Sequence, residues 1–252
     1  MKKILTMIIV CMLMCACGMQ NNKSKGKVTI TVSAAASLKN ALGEIEKSFE
    51  QKYDHIDVKF NYGATGALAQ QIKSGAPVDI FLSAAQDKMD DLIRRNVVDK
   101  NDVKVLLKNH LVLISTHQLK SVKDLNDDTI KKIAIGNPDV VPAGKYGEQA
   151  LEKLNVYEAI HPKLVFTKDV RQVLTYVETG NAEAGIIYTS DLKASNKVKY
   201  HLPIQSQLHE PIYYPIAKIK STKHKEETAL LYRYLQSRES KKVYQKYGFD
   251  IK

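Results

Sequence analysis

The chain has 252 residues, a formal net charge of +11 and three cysteines, Cys11, Cys15 and Cys17. That length suits one large domain or two small lobes, and a body free of cysteine excludes disulfides, thiolate metal ligands and a cysteine nucleophile. Lysines are interleaved with acids along the whole chain without an arginine-rich run or a nucleic-acid module, so the basic balance points to solubility and an anionic envelope surface, not to nucleic acid.

Met1, Lys2 and Lys3 followed by the apolar run Ile4 to Met14 have the charged and apolar regions of an export signal, too short to span a membrane as a mature helix. The stretch Met14-Cys15-Ala16-Cys17-Gly18 resembles a bacterial lipoprotein cleavage box, with small Ala16 before Cys17. The expectation is a signal peptide over residues 1–16, lipidation at Cys17, and a chain anchored on the extracytoplasmic face of the cell membrane. Residues 17–26, rich in Asn, Lys, Ser and Gly, read as a tether.

Val28 to Val32 is a β-branched run leading through Ala34, Ala35 and Ala36 to Ser37, a good helix N-cap, after which Leu38, Ala41, Leu42, Ile45 and Phe49 follow at helical spacing. Val58 to Tyr62 alternates as a strand does, and Gly63-Ala64-Thr65-Gly66 then opens a short helix holding Leu68 and Ile72. Val78 to Leu82 predicts a third strand and Gln86 to Arg95 a third helix, whose Asp87, Asp90 and Asp91 read as a solvated face. Farther on come strands at Leu111–Ile114 and Ile133–Ile135, and a helix holding Tyr146, Ala150, Leu151 and Leu154 after Val141-Pro142-Ala143-Gly144. Lys163 to Phe166 leads into a helix with Val170, Val173, Leu174 and Val177, and Ala184 to Tyr188 is again a strand. Pro211 to Ala217 is extended, and two helices, Glu226–Leu235 and Lys241–Tyr247, close the chain. Such alternation predicts α/β layers with largely parallel sheets.

At each strand-to-helix turn the first backbone N–H groups lack intrahelical partners and the helix dipole adds partial positive charge. Ser37 and Thr65 add hydroxyls at two such turns, Tyr188 adds a phenol at a strand end, and small residues at 36, 63, 64, 66, 143 and 144 let backbone approach a ligand. Together they describe an anion site built from neutral donors. A fully deprotonated dianion such as molybdate, tungstate or sulfate only accepts hydrogen bonds and suits such a site, whereas phosphate near neutral pH keeps a proton that needs an acceptor. Asp169 reads as a helix cap and Asp191 as the sole carboxylate beside Tyr188.

The order of these segments resembles the molybdate-binding component of bacterial ABC importers, the ModA family. The resemblance covers nearly the whole body, through Thr31 to Leu38, Gln71 to Phe81, Val141 to Gly144, Asp169-Val170-Arg171, Gly185 to Tyr188 and Tyr247-Gly248-Phe249. It implies a two-lobed type II periplasmic-binding-protein fold, each lobe a mixed, mostly parallel sheet flanked by helices, with the ligand in the cleft. Lobe one would join residues 27–108 to 214–252 and lobe two would take 109–213, with crossovers near His110 and near Tyr213-Tyr214. It also implies an oxyanion held by Ser37, Thr65, Ala143, Val170 and Tyr188, no cofactor and no cation ligands, and delivery to an ABC permease by a monomer. Thr65 stands where the family usually has serine, so its extra methyl bears on anion preference.

Other chemistries fit less well. The seven histidines show no zinc-site or zinc-protease spacing, Gly63-Ala64-Thr65-Gly66 lacks the Gly-Lys-Ser/Thr of a nucleotide loop, and no Gly-x-Ser-x-Gly elbow occurs. A sulfate binder, or an enzyme acting on phosphate esters with Asp191 as base, are the alternatives to a molybdate binder.

Overall fold

The computed structural model describes residues 26–252; the expected signal peptide, Cys17 and all of the tether but its last residue lie outside the described residues. The elements run β1 (Val28–Ala35), α1 (Lys39–Lys52), β2 (Ile56–Gly63), α2 (Thr65–Lys73), β3 (Ile80–Leu82), α3 (Gln86–Arg94), β4 (Lys104–Lys108) and β5 (Leu111–Ser115). There follow β6 (Ile133–Gly136), α4 (Pro142–Lys153), α5 (Tyr157–Ile160), β7 (Leu164–Thr167), α6 (Val170–Glu178), β8 (Ala184–Tyr188) and α7 (Thr189–Lys193). The chain closes with β9 (Tyr200–Pro203), β10 (Tyr213–Lys218), α8 (Lys225–Tyr234), α9 (Arg238–Lys246) and β11 (Asp250–Ile251).

Two sheets form, and each is the centre of a lobe. The first has the order β11-β4-β10-β3-β1-β2 and the second β7-β6-β8-β5-β9. Parallel pairing holds where the sequence alternates strand and helix, between β1 and its neighbours β2 and β3 and between β6 and its neighbours β7 and β8. The remaining pairings, through β4, β5, β9, β10 and β11, are antiparallel. The expectation of largely parallel sheets is thus met by the strands that carry helices and not by β4 and β10, which enter or leave the lobe rather than continue a β-α-β turn.

Apolar faces at helical spacing pin the helices to the sheets. α1 buries Ala41, Leu42, Ile45 and Phe49, and α6 buries Val170, Val173, Leu174 and Val177. β1 packs between two parallel neighbours and buries Ile30, Val32, Ala34 and Ala35, as a doubly covered strand must. The third strand is shorter than its apolar run suggests. Asp79 interrupts it: the Asp79 carboxylate accepts from Thr31 N at 2.8 Å while Asp79 N donates to Thr31 O at 2.9 Å.

The chain passes between the sheets twice, from β4 to β5 and from β9 to β10. The two crossings are tied together, because Asn109 N donates to Ile212 O at 3.2 Å. No helix among the described residues is long and apolar enough to cross a membrane.

Candidate anion-binding site

The C-terminal ends of the parallel strands of both lobes face one another, the position where open α/β sheets commonly bind ligands. From the first lobe come Ala35 to Ser37, Gly63 to Thr65 and Ala84, and from the second Val141 to Ala143, Asp169, Val170 and Tyr188. The cavity left between them is small, about 10 Å³. All five residues picked from the sequence, Ser37, Thr65, Ala143, Val170 and Tyr188, line this pocket, and the most exposed of them, Val170, is 4% accessible.

Ala143 and Val170 contribute through backbone. Ala143 is the second residue of α4, which starts at Pro142 as helices often do, and Val170 is the first of α6. Helix geometry leaves their N–H groups without intrahelical partners, at the positive end of the dipole.

The hydroxyls are not helix caps. Ser37 sits inside the single turn Ala36–Leu38 that precedes α1 and makes no capping bond; its Oγ lies 2.9 Å from the Tyr214 hydroxyl. Thr65 is the first residue of α2, after an Ala64 cap, and its Oγ1 accepts from Ala84 N at 3.0 Å. The capping role expected for Ser37 is therefore replaced by a contact with β10. Tyr188 ends β8, and its hydroxyl is buried with no hydrogen-bond partner among the described residues. Burial above all raises its pKa well above the ordinary phenol value, so it stays protonated and available as a donor.

The acidic residues near the pocket are occupied. Asp169 caps α6, accepting from Gln172 N at 2.9 Å. Asp191 is wholly buried in α7 and forms an ion pair with Arg171, whose Nε lies 2.8 Å from Oδ1. Burial raises the Asp191 pKa to about 6, against the opposing pull of the Arg171 charge. Arg171 also crosses the cleft to donate to the carbonyls of Ala36 at 3.3 Å and Ser37 at 3.5 Å.

The lobes meet closely around the pocket. Gly66 N donates to Val140 O at 3.0 Å across the cleft, and a Cβ at Gly66 would lie 2.8 Å from that oxygen. Gly144 presses α4 onto the end of β6, where a Cβ would overlap Gly136 O. The smallness of Gly66 and Gly144 also serves lobe contact and helix packing. Asp87 is likewise more than a solvated residue: it faces Lys145 of the other lobe at 3.7 Å. Reasoning from sequence missed Asn109 and Tyr214, whose contacts with Ser37 and Ser190 join residues more than eighty positions apart and leave no local pattern.

Among the described residues no group of His, Cys, Asp or Glu could hold a metal ion. Two α/β lobes closed over a small pocket of neutral donors define a solute-binding protein of the periplasmic type. Residues 30–250 match the family described as bacterial extracellular solute-binding protein, and the chain belongs to it. Within that family it is 35% identical to the molybdate-binding protein ModA of Haemophilus influenzae, over 87% of this chain and 89% of that one, and it is a member of the ModA family. It is also 44% identical, over 86% of this chain and 84% of the relative, to YvgL of Bacillus subtilis, described as an ABC transporter substrate-binding lipoprotein. The periplasmic molybdate-binding protein of Azotobacter vinelandii has the same fold, with a TM-score of 0.82 at 22% identity over 87% of this chain and 98% of that one.

Proposed function

We propose that the protein captures molybdate, and tungstate with it, in the interlobe pocket and hands it to an ABC permease. The observation that carries this reading is the Tyr188 hydroxyl, a protonated donor buried in the pocket wall without a partner among the described residues. An unpaired buried hydroxyl costs free energy, and an accepting ligand removes that cost. Ser37, Thr65 and Tyr188 would donate through hydroxyls, Ala143 and Val170 through backbone N–H. The names of the ModA relatives support molybdate over sulfate as the anion.

In this reading the lobes comprise residues 27–108 with 214–252 and residues 109–213, and closure over the anion creates the surface that the permease reads. Cys17 carries the lipid that holds the monomer at the extracytoplasmic face of the membrane, in keeping with the description of YvgL as a lipoprotein. The test is the thermal midpoint of the purified protein in molybdate, tungstate, sulfate or phosphate, since a ligand specific to the native state raises it. A rise with molybdate and tungstate is expected. No rise with either refutes the reading, and a rise with sulfate alone replaces it with a sulfate binder.

A further inference from the structure

The Ser37 hydroxyl is the near end of a hydrogen-bonded chain with a fixed direction. Its oxygen lies 2.9 Å from the Tyr214 hydroxyl, which lies 3.1 Å from Asn109 Nδ2. All three residues are buried. The direction is set at the far end, where His110 N lies 2.9 Å from Asn109 Oδ1. A backbone N–H can only donate, so that amide atom is the acceptor and the nitrogen of Asn109 must face Tyr214.

The rest follows by elimination. The amide nitrogen has only protons to offer and uses them on Ser190 Oγ, at 2.9 Å, and on the Tyr214 oxygen. Tyr214, accepting there, still has a buried proton to place, and Ser37 Oγ at 2.9 Å is the acceptor for it; a Ser37 proton turned the other way would leave the phenol proton unpaired. Ser37 then accepts from Tyr214 and has its proton left for the pocket. Thr65 has the same polarity from a simpler source, because Ala84 N donates to its oxygen at 3.0 Å.

We propose that Asn109 and Tyr214 are positioning residues that lock the Ser37 hydroxyl as a donor, so that the pocket selects tetrahedral oxyanions without a proton over those that keep one. This rests on the reading of the pocket as an oxyanion site. Both residues belong to the crossings, Asn109 between β4 and β5 and Tyr214 in β10, so the lock is carried by the hinge rather than by either pocket wall. A protonated anion brings a donor to a place where Ser37 also presents a donor, and two protons then face each other.

Asn109→Asp tests the direction of the chain. The ionised carboxylate it introduces only accepts, so Tyr214 would donate to it and accept from Ser37, leaving Ser37 an acceptor toward the pocket. Affinities for molybdate, sulfate and phosphate should be measured by calorimetry at mildly alkaline pH, where phosphate is a dianion that still carries one proton. The three anions then bear equal charge, so repulsion by the new carboxylate weakens all of them alike, and only hydroxyl polarity changes their ratio. The sulfate-to-phosphate and molybdate-to-phosphate affinity ratios are expected to fall at least about tenfold, the effect of one mismatched hydrogen bond of about 1.4 kcal/mol.

Tyr214→Phe preserves shape and removes the donor onto Ser37; both ratios are expected to fall by about threefold as the hydroxyl regains its freedom to turn. In a Ser37→Ala background neither substitution should move the ratios, the coupling that a double-mutant cycle reads. Unchanged ratios in Asn109→Asp, or an equal change without the Ser37 hydroxyl, overturn the lock while leaving the oxyanion site standing. A wild-type protein that binds none of the three anions removes both readings.

Discussion

Gly66→Ala separates closure from folding, because the added methyl meets an obstacle only across the cleft. Its Cβ would sit 2.8 Å from Val140 O and 2.9 Å from Val140 Cα, both backbone atoms with no rotamer to yield. Within its own lobe the residue lies in α2, where alanine is a better helix former than glycine by up to about 1 kcal/mol. Overpacking at such contacts costs about 1–3 kcal/mol. Spreading the lobes instead forfeits the 3.0 Å bond from Gly66 N to Val140 O, worth about 0.5–1.5 kcal/mol. Whichever route the protein takes, the closed form loses at least about 0.5 kcal/mol relative to the open one. Molybdate affinity should therefore fall about two- to 100-fold, while the anion-free protein unfolds in urea at the same or a slightly higher concentration. Calorimetric titration and chemical denaturation are the two assays. Undiminished affinity would refute the link between this contact and closure, and a destabilised anion-free protein would show that Gly66 matters within its own lobe.

Ser37→Ala and Tyr188→Phe should each weaken molybdate binding by about 1–3 kcal/mol, since each leaves one anion oxygen short of a donor; calorimetry that finds either variant unchanged excludes that hydroxyl from the site. Thr65→Ser keeps the hydroxyl that accepts from Ala84 N, so affinity should stay within about threefold, and a shift confined to the molybdate-to-sulfate ratio would assign the methyl to sizing. Asp191 supplies a pH signature. Its folded pKa of about 6 exceeds the ordinary value of 3.8, so between these limits the native state binds the extra proton and stability falls as pH rises, by roughly 3 kcal/mol in all. Above about pH 6 this contribution is flat, and urea denaturation of Asp191→Asn across the same window should lack the slope.

The strands that feed the pocket were legible because they are β-branched, apolar or alternating runs, and small residues follow them where the chain turns into a helix. Ala34 to Leu38, Gly63 to Leu68 and Val141 to Gly144 display that grammar, and they line or adjoin the pocket. Less legible were β4, β9 and β11, which are short and find their partners through long-range pairing rather than local propensity. Local reading left Ser37 two roles, helix cap and pocket hydroxyl, and only the missing capping bond and the Tyr214 contact 177 residues away set the first aside. Arg171 stood in a recognised segment, yet its bridge from Asp191 to the carbonyls of Ala36 and Ser37 joins the two lobes across more than 130 positions and leaves no local pattern.

The basic character of the chain does not reach the pocket. No Lys or Arg lines it, and Arg171, next to the lining residue Val170 on α6, already has the Asp191 carboxylate at 2.8 Å and two carbonyls from the opposite lobe within reach. Its charge is compensated in place, so a dianion in the proposed site would be stabilised by oriented N–H and O–H dipoles, which act strongly only where water is excluded. Those dipoles are divided: Ser37 and Thr65 stand on one lobe, Ala143, Val170 and Tyr188 on the other. Neither lobe alone can coordinate a tetrahedral anion on all sides, so the ligand favours the closed form by whatever the second set of donors adds. Arg171 ties the same two walls together through the carbonyls of Ala36 and Ser37, so in the proposed reading closure would strengthen as hydrogen bonds to the anion are completed and selectivity would rest on their direction.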